Sequence, residues 1–230
     1  GRRWVHGQGG PAGTGTGDAM TLARRLARHL ARTPLHPQWL LGRRMPPKNL
    51  EGFSGTMLDI GSADRWLQPW LGRDVQYVAL DHPATGLALY GTRRDVFGDA
   101  AKLPVADESI DGVACLEVIE HVASPVSVMS EIIRILRSGG RSWISMPFLY
   151  PIHDAPFDFQ RYTRHGWENA ASVAGLEIVQ IEKTNHSIQT AGLLACLALA
   201  GGAMQAQGLR AALVIPLAML AILPINLAAW

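Results

Sequence analysis

Between residues 50 and 185, short apolar runs alternate with segments whose apolar residues recur at helical spacing. The runs "TMLDI", "VQYVALD", "DGVACLEV", "RSWISM" and "LEIVQIEK" read as strands, the first starting at Thr56 and the last ending at Lys183. Ser124-Pro125 predicts a helix start, with a hydroxyl at the N-cap and proline at the first helical position. Val128, Met129, Ile132, Ile133, Ile135 and Leu136 then form one broad apolar face, and Gly139-Gly140 is expected to end that helix. Strands alternating with helices predict an α/β sheet layered with helices.

The flanks follow other patterns. Residues 1–19 are glycine-rich with little to bury, and read as disordered or as an extension ahead of Met20. "GTGTG" within them follows no strand, so it is not read as a nucleotide loop. In residues 20–49, Leu22, Leu26 and Leu30 share a stripe while Arg24, Arg25, Arg28 and Arg32 occupy the other faces, a short basic amphipathic helix before a linker. It suits packing on the α/β domain, an anionic lipid surface or an organelle transit peptide. Residues 187–230 carry a single charge, Arg210, in two apolar stretches, each about the roughly 20 residues that cross a bilayer core. They are expected to form a hydrophobic helical hairpin on or in a membrane, with the 50–186 domain on the cytoplasmic side. Two buried helices covering the sheet are the soluble alternative.

Composition narrows the classes. At 230 residues and 48% hydrophobic, the chain can bury one sizeable core with an appendage. A formal charge of +2 gives no electrostatic case for nucleic acid. Cys115 and Cys196 lie far apart in apolar runs, so neither a disulfide framework nor a metal site is expected from them. No apolar run follows the early arginines, so no secretory signal is expected.

The candidate chemistry begins at "TMLDIGSADRWL", where a strand ends in Asp59 and breaks into Gly61, Ser62, Ala63, Asp64 and Arg65. Asp81 ends the next strand, where a carboxylate can accept from both ribose hydroxyls. Those two features suit NAD as well as other adenosine ligands. The stretch "FGDAAKLPVADESIDGVACLEVIEHV", residues 97–122, resembles the class I S-adenosylmethionine (SAM) methyltransferases, in particular the type 11 domain family. The resemblance covers roughly residues 56–182. It implies a Rossmann-like seven-stranded sheet with helices on both faces and its last strand antiparallel. It also implies SAM as cofactor, with Asp59, Gly61, Ser62 and Ala63 around the methionine part, Asp81 at the ribose, Asp99 and Ala100 at the adenine, and Glu117 at the methionine end. The family's Gly-x-Gly-x-Gly is here reduced to one glycine, which SAM, lacking a pyrophosphate, tolerates better than a dinucleotide does.

The segment "MPFLYPIHDAPFDFQRYTRHGW", residues 146–167, is proline- and aromatic-rich and long for a connection, as functional loops are. His153 and Asp154 are candidates for a general base, and Arg161 and Tyr162 for gripping an anionic or sugar-like acceptor. Against these stand a loop-locking Asp158–Arg161 ion pair and a turn-capping His153. His121 reads as structural. The expected activity is methyl transfer to a small-molecule, lipid-linked or saccharide-linked acceptor near a membrane. The alternatives are a degenerate SAM-binding domain tethered to the membrane and an NAD-dependent oxidoreductase. The latter requires a G-x-G-x-x-G turn that "GSADRW" lacks.

Overall fold

The computed structural model describes residues 33–42, 44–84 and 94–230. Nearly all of the expected basic helix over residues 20–33, and the glycine-rich stretch before it, lie outside the described residues. Two compact units form, Arg43–Thr184 on one hand and residues 33–42 with Asn185–Trp230 on the other.

In the first unit, β1 (Gly55–Ile60), β2 (Val75–Asp81), β3 (Val96–Phe97), β4 (Ile110–Leu116) and β5 (Leu136–Ser145) make one sheet in the order β3-β2-β1-β4-β5. Every pairing is parallel. β1 is central, so the carboxyl ends of β1, β2 and β4 face one rim. The two sheet faces are both apolar, as buried parallel strands require. Leu58, Ile60, Leu80, Val113 and Cys115 pack against Val128, Ile132 and Ile135 of α1 (Pro125–Ile135). On the opposite face Met57 and Ala114 pack with Leu50, Leu67, Phe53 and Trp143.

Three expectations are corrected. The sheet has five strands among the described residues, not seven, and "LEIVQIEK" forms no strand. Its Val179 is 93% exposed, and Gln180 and Glu182 are held only through side chains, to Asn49 at 2.8 Å and Lys48 at 3.1 Å. Alternation gave it a strand's pattern, but a strand also needs a neighbouring backbone to pair with. The helix α1 ends at Ile135, because β5 starts at Leu136. Gly139 and Gly140 instead lie in an irregularity of β5, between the Ile110–Leu136 and Gly112–Arg141 pairs. Ser124 does occupy the N-cap, but its hydroxyl pairs with the Ser127 hydroxyl at 2.7 Å and caps no backbone N–H. The helix α2 (Arg164–Ala174) has the cap that α1 lacks, Thr163 Oγ1 accepting from Gly166 N–H at 3.1 Å.

The second unit is a pair of antiparallel-capable apolar helices, α3 (Ser187–Met204) and α4 (Leu209–Ala229), packed together with the turn Trp39–Leu41. Both are long and apolar enough to cross a membrane. The fully buried Asn226 ties the ends, its amide donating to Pro34 O at 2.6 Å and His36 O at 3.0 Å. Its oxygen accepts from Cys196 Sγ at 3.3 Å. The Asn185 amide donates to Leu40 O at 2.8 Å, and Trp39 lies against Trp230 with ring centroids 4.4 Å apart.

A tight place in the sheet is Gly112 on β4, where an added Cβ would stand 2.5 Å from Phe53 Cζ and 3.1 Å from Met57 Cε. Gly112→Ala should therefore lower stability by about 1–3 kcal/mol through overpacking. Urea denaturation would read this as a lower midpoint with an unchanged slope.

Candidate active site

The loop after β1 answers for its missing glycines. Gly61, Ala63 and Arg65 all adopt positive φ, at 72°, 48° and 59°. These are the first, third and fifth positions of the turn, so the backbone keeps a three-glycine conformation with only one glycine. Gly61 cannot be replaced, since a Cβ there would sit 2.3 Å from Val118 Cγ2. The left-handed region costs an L-residue roughly 1–2 kcal/mol, and at Arg65 the side chain offsets it. Its guanidinium meets Asp95 at 3.0 and 3.3 Å, Gln68 at 3.0 Å, and lies 5.1 Å from the centroid of the Tyr77 ring. Asp95 in turn accepts from Ala79 N–H at 2.8 Å. The amides of Gly61 and Ser62 both donate to Leu80 O, at 2.9 and 3.1 Å, pinning the turn to β2.

Each acid expected at the cofactor stands at the strand-end rim. Asp59 is 3% exposed and accepts from the Tyr77 hydroxyl at 2.5 Å. Burial pushes its carboxyl up to about 6, with the Asp81 charge adding to the rise, while the Tyr77 hydrogen bond opposes both. Asp81 is 7% exposed and pairs with the buried Arg94, whose Nε donates at 2.9 Å. It also accepts from His82 N–H at 3.0 Å. A carboxylate has about four acceptor sites, so these two bonds leave room for a diol. Asp99 closes an Asx turn onto Ala101 N–H at 2.8 Å, and Ala100 behind it is buried. Glu117, at φ 56°, is bound to the end of β5 through Ser145, whose hydroxyl donates to its carboxylate at 2.6 Å. Ser62 is fully buried, and its hydroxyl has no partner among the described residues.

The acceptor-side residues divide. His153 lies in a half-buried cluster with the buried Glu120 and with His121, described below. Asp154 is exposed at φ 50° and is held by its backbone, Phe157 N–H donating to its carbonyl at 3.0 Å. The Asp158–Arg161 ion pair forms, bidentate, with Nη2 at 2.8 Å from Oδ2. It holds the Asp158 carboxyl well below the usual carboxylate range. Tyr162 packs edge-on against Trp167 at 5.5 Å, beside Ile119 and Met129. Gln160 fixes the same loop to the rim, donating to Ile119 O at 2.8 Å and Val122 O at 2.7 Å.

Glu120 escaped the sequence reading. It is fully buried, and both its oxygens lack a hydrogen bond. Burial, reinforced by the charge of Glu117, pushes its carboxyl up to about 7. His121 Nε2 lies 3.6 Å and His153 Nε2 4.0 Å from its Oε1. Its sequence signal was the Glu120-His121 pair three residues after Glu117 in "LEVIEHV", at the end of the stretch that carries the family resemblance. Tyr77, Arg65, Arg94 and Asp95 were also missed, because their roles depend on β2 lying beside the loop.

A parallel sheet with acids at the ends of β1 and β2 and a left-handed turn after β1 is the frame of an α/β domain that binds an adenosine cofactor. Residues 58–144 match the family model described as a methyltransferase domain. Over that stretch the chain carries a methyltransferase domain of the type 11 family. Among its curated relatives, a demethylmenaquinone methyltransferase of Mycobacterium sp. strain KMS is 35% identical over 96 residues, covering 36% of this chain and 42% of that protein. A 2-phytyl-1,4-naphtoquinone methyltransferase of Thermosynechococcus vestitus is 30% identical over 145 residues, covering 58% of this chain and 63% of that protein. The chain spans between 19% and 63% of the length of the curated relatives it matches. Among solved structures, phosphoethanolamine N-methyltransferase 2 of Haemonchus contortus, in complex with SAM, shares the fold at a TM-score of 0.51 and 18% identity, over 86% of this chain and 55% of that one. The cofactor of the domain is SAM. The rim fits it: Asp81 retains acceptor capacity for a ribose, and the buried Ser62 hydroxyl awaits a polar partner.

Asp59 gives a test of the rim's electrostatics. Its folded value, about 6, lies above the ordinary 3.8. The folded state therefore holds the proton more tightly, and this stability is lost as pH rises through about 4 to 6. Asp59→Asn should remove that slope and raise stability at pH 7.5 relative to the parent by at most about 3 kcal/mol. Chemical denaturation of both proteins at pH 4.5 and 7.5 measures the change. A second variant, Ala63→Gly, should stabilise by about 0.5–1 kcal/mol, the left-handed cost less the added unfolded-state entropy.

Proposed function

We propose that the protein transfers the methyl group of SAM to a small apolar or lipid-linked acceptor at a membrane surface. The observation that carries this reading is the rim itself: Asp59, Asp81 and Asp99 stand at strand ends around a turn that keeps its left-handed backbone with Ala63 and Arg65 in place of glycines. SAM carries its own driving force, since the sulfonium becomes a neutral thioether as the acceptor atom takes the methyl. The residues then have to hold the two reactants in line and exclude water.

In this reading Asp81 takes the ribose hydroxyls, Asp99 and the Ala100 N–H the adenine, and Gly61, Ser62, Ala63, Asp59 and Glu117 surround the methionine part. The acceptor enters beside the 146–163 loop, where His153 and Asp154 are the candidates to receive its proton. Arg161 is committed to Asp158 and Tyr162 to Trp167, so both act by holding the loop in place. An apolar acceptor fits the quinone-type substrates in the names of the relatives above. It also fits a loop that exposes Phe148, Leu149, Ile152, Phe157 and Phe159.

The membrane half of the proposal rests on the helical hairpin. Ile188, Met204, Leu213, Leu217, Leu220 and Leu227 are each more than half exposed on α3 and α4, a distribution suited to lipid. At about 1.5 Å per residue, each helix approaches the thickness of a bilayer core. A second reading, a SAM-binding domain without turnover, draws on Ala63 and Arg65 in the turn.

Isothermal titration with SAM, S-adenosylhomocysteine and NAD tests the cofactor. SAM and S-adenosylhomocysteine should bind, and Asp81→Ala should weaken both by about ten- to a hundredfold, the worth of a charge-assisted hydrogen bond of roughly 1.5–3 kcal/mol. Binding of NAD without SAM would overturn the proposal. Incubating the protein with labelled SAM and a membrane extract should label an organic-extractable product, and binding without labelling would favour the second reading. Removing residues 187–230 should free the protein from detergent while SAM affinity stays within a few-fold, whereas aggregation of the truncated chain would argue against a membrane hairpin.

A further inference from the structure

Three Lewis bases converge where the end of β4 meets the loop after β5. Glu120 is fully buried with both carboxylate oxygens unpartnered. His121 and His153 point Nε2 at its Oε1 from 3.6 and 4.0 Å, and ligand atoms of all three residues lie within 4.8 Å of one another. At these separations no hydrogen bond links them.

The tautomers are set from outside the cluster. His121 Nδ1 lies 2.9 Å from Phe157 O, and a carbonyl only accepts, so Nδ1 carries the proton. His153 Nδ1 lies 3.2 Å from Asp158 Oδ2 and 3.4 Å from Pro151 O, both acceptors, and 3.5 Å from the Arg161 Nη2 donor; the shorter carboxylate contact favours the proton on Nδ1. Each ring thus turns its Nε2 toward the Glu120 carboxylate, which no other side chain serves. Arg161 holds Asp158 through two bonds, so the outer partner of His153 is itself fixed.

We infer that Glu120, His121 and His153 bind a divalent transition metal ion of the zinc class. The second observation behind the cluster is the orphaned carboxylate, for which a cation supplies the missing partner. Two imidazoles and one carboxylate suit such an ion, and histidine ligands anchored through Nδ1 to a carbonyl or a carboxylate are the usual support. Ligands about 2.1 Å from a tetrahedral ion stand about 3.4 Å apart, so the observed 3.6 and 4.0 Å, within a spread of 4.8 Å over all three ligand atoms, have to close by rotation of the side chains. Three protein ligands leave a fourth position open to water or an acceptor oxygen. Cysteine spacing, which carried the expectation of no metal, does not bear on a site assembled across β4 and the loop. The inference deepens the acceptor half of the proposed function: His153 becomes a ligand, and Asp154 is left as the loop's proton acceptor. Metal binding is nevertheless read without SAM or turnover, so either idea can fail alone.

The test uses the untagged 230-residue chain in detergent, stripped with chelator and titrated with Co²⁺. One equivalent should bind with the visible absorption of a four- or five-coordinate ion, and Zn²⁺ should displace it. Glu120→Gln and His153→Ala should each lower Co²⁺ affinity by at least about a hundredfold. Asp158→Asn, which spares all three ligands, should lower it by about ten- to a hundredfold. The exposed His165→Ala should leave it unchanged. Circular dichroism melting of each variant establishes that the fold persists, and a ligand variant that unfolds leaves the decision to Asp158→Asn. Absence of stoichiometric binding, or binding lost in His165→Ala and retained in the cluster variants, would overturn the inference. A protein that binds Co²⁺ at this cluster but not SAM would retain the metal site and lose the proposed function.

Discussion

Everything at the rim depends on a backbone that turns left-handed three times in five residues after β1. Gly61 has to be glycine for a steric reason, the approach of Val118, as well as a conformational one. Ala63 and Arg65 have no such freedom, and their conformation is held from outside. Arg65 does this by reaching Asp95, which also caps Ala79 N–H, and by covering Tyr77, whose hydroxyl serves Asp59. One charged side chain thus fixes the turn, braces β2 and supports the buried acid of β1. A three-glycine turn would lack that brace and rely on its ligand for order. The substitution therefore exchanges an adaptable loop for one that is formed in advance.

Burial of carboxylates is the second constraint, and the two buried acids meet it in opposite ways. Asp59 has a hydrogen-bond donor in Tyr77, and a neutral carboxyl also satisfies that site. Glu120 has no donor beyond its own backbone N–H, although two imidazoles stand near it. An unserved buried acid is normally removed by substitution with an apolar residue, since desolvation outweighs what an unpaired charge contributes. Beside two histidines held at Nδ1, such a carboxylate calls for a proton or a cation.

How far the sequence could be read follows from what each feature requires. β1, β2 and β4 were legible because a buried parallel strand is an uninterrupted apolar run, and Asp59 and Asp81 were legible as acids that end such runs. The strand expected over 176–183 failed because alternation records which side chains are apolar and not whether a neighbouring edge is offered. The helix α1 was legible in its face and its start, while its end was misplaced. The two glycines that mimic a helix stop sit in a β5 irregularity four and five residues beyond it. Tyr77, Arg94 and Asp95 were not legible at the site, since each acts across β2, β3 or the loop, and only the strand order brings them there.

His121 and His153 show the same limit at its sharpest. In the sequence they are separated by a helix and a whole strand, and each has an adequate bland role, as a helix-start residue or a turn cap. The β4–β5 pairing brings the two segments together, and Gln160 and the Phe159 amide, which donates to Glu120 O at 2.9 Å, fasten the loop over the buried carboxylate. Nδ1 of each ring is spent on this fastening. What remains, Nε2, faces inward by default, so the contacts that lock the loop also create the cluster. Structural and chemical roles here are two ends of the same imidazoles, which is why assigning either histidine to one role from its sequence position alone was bound to be incomplete.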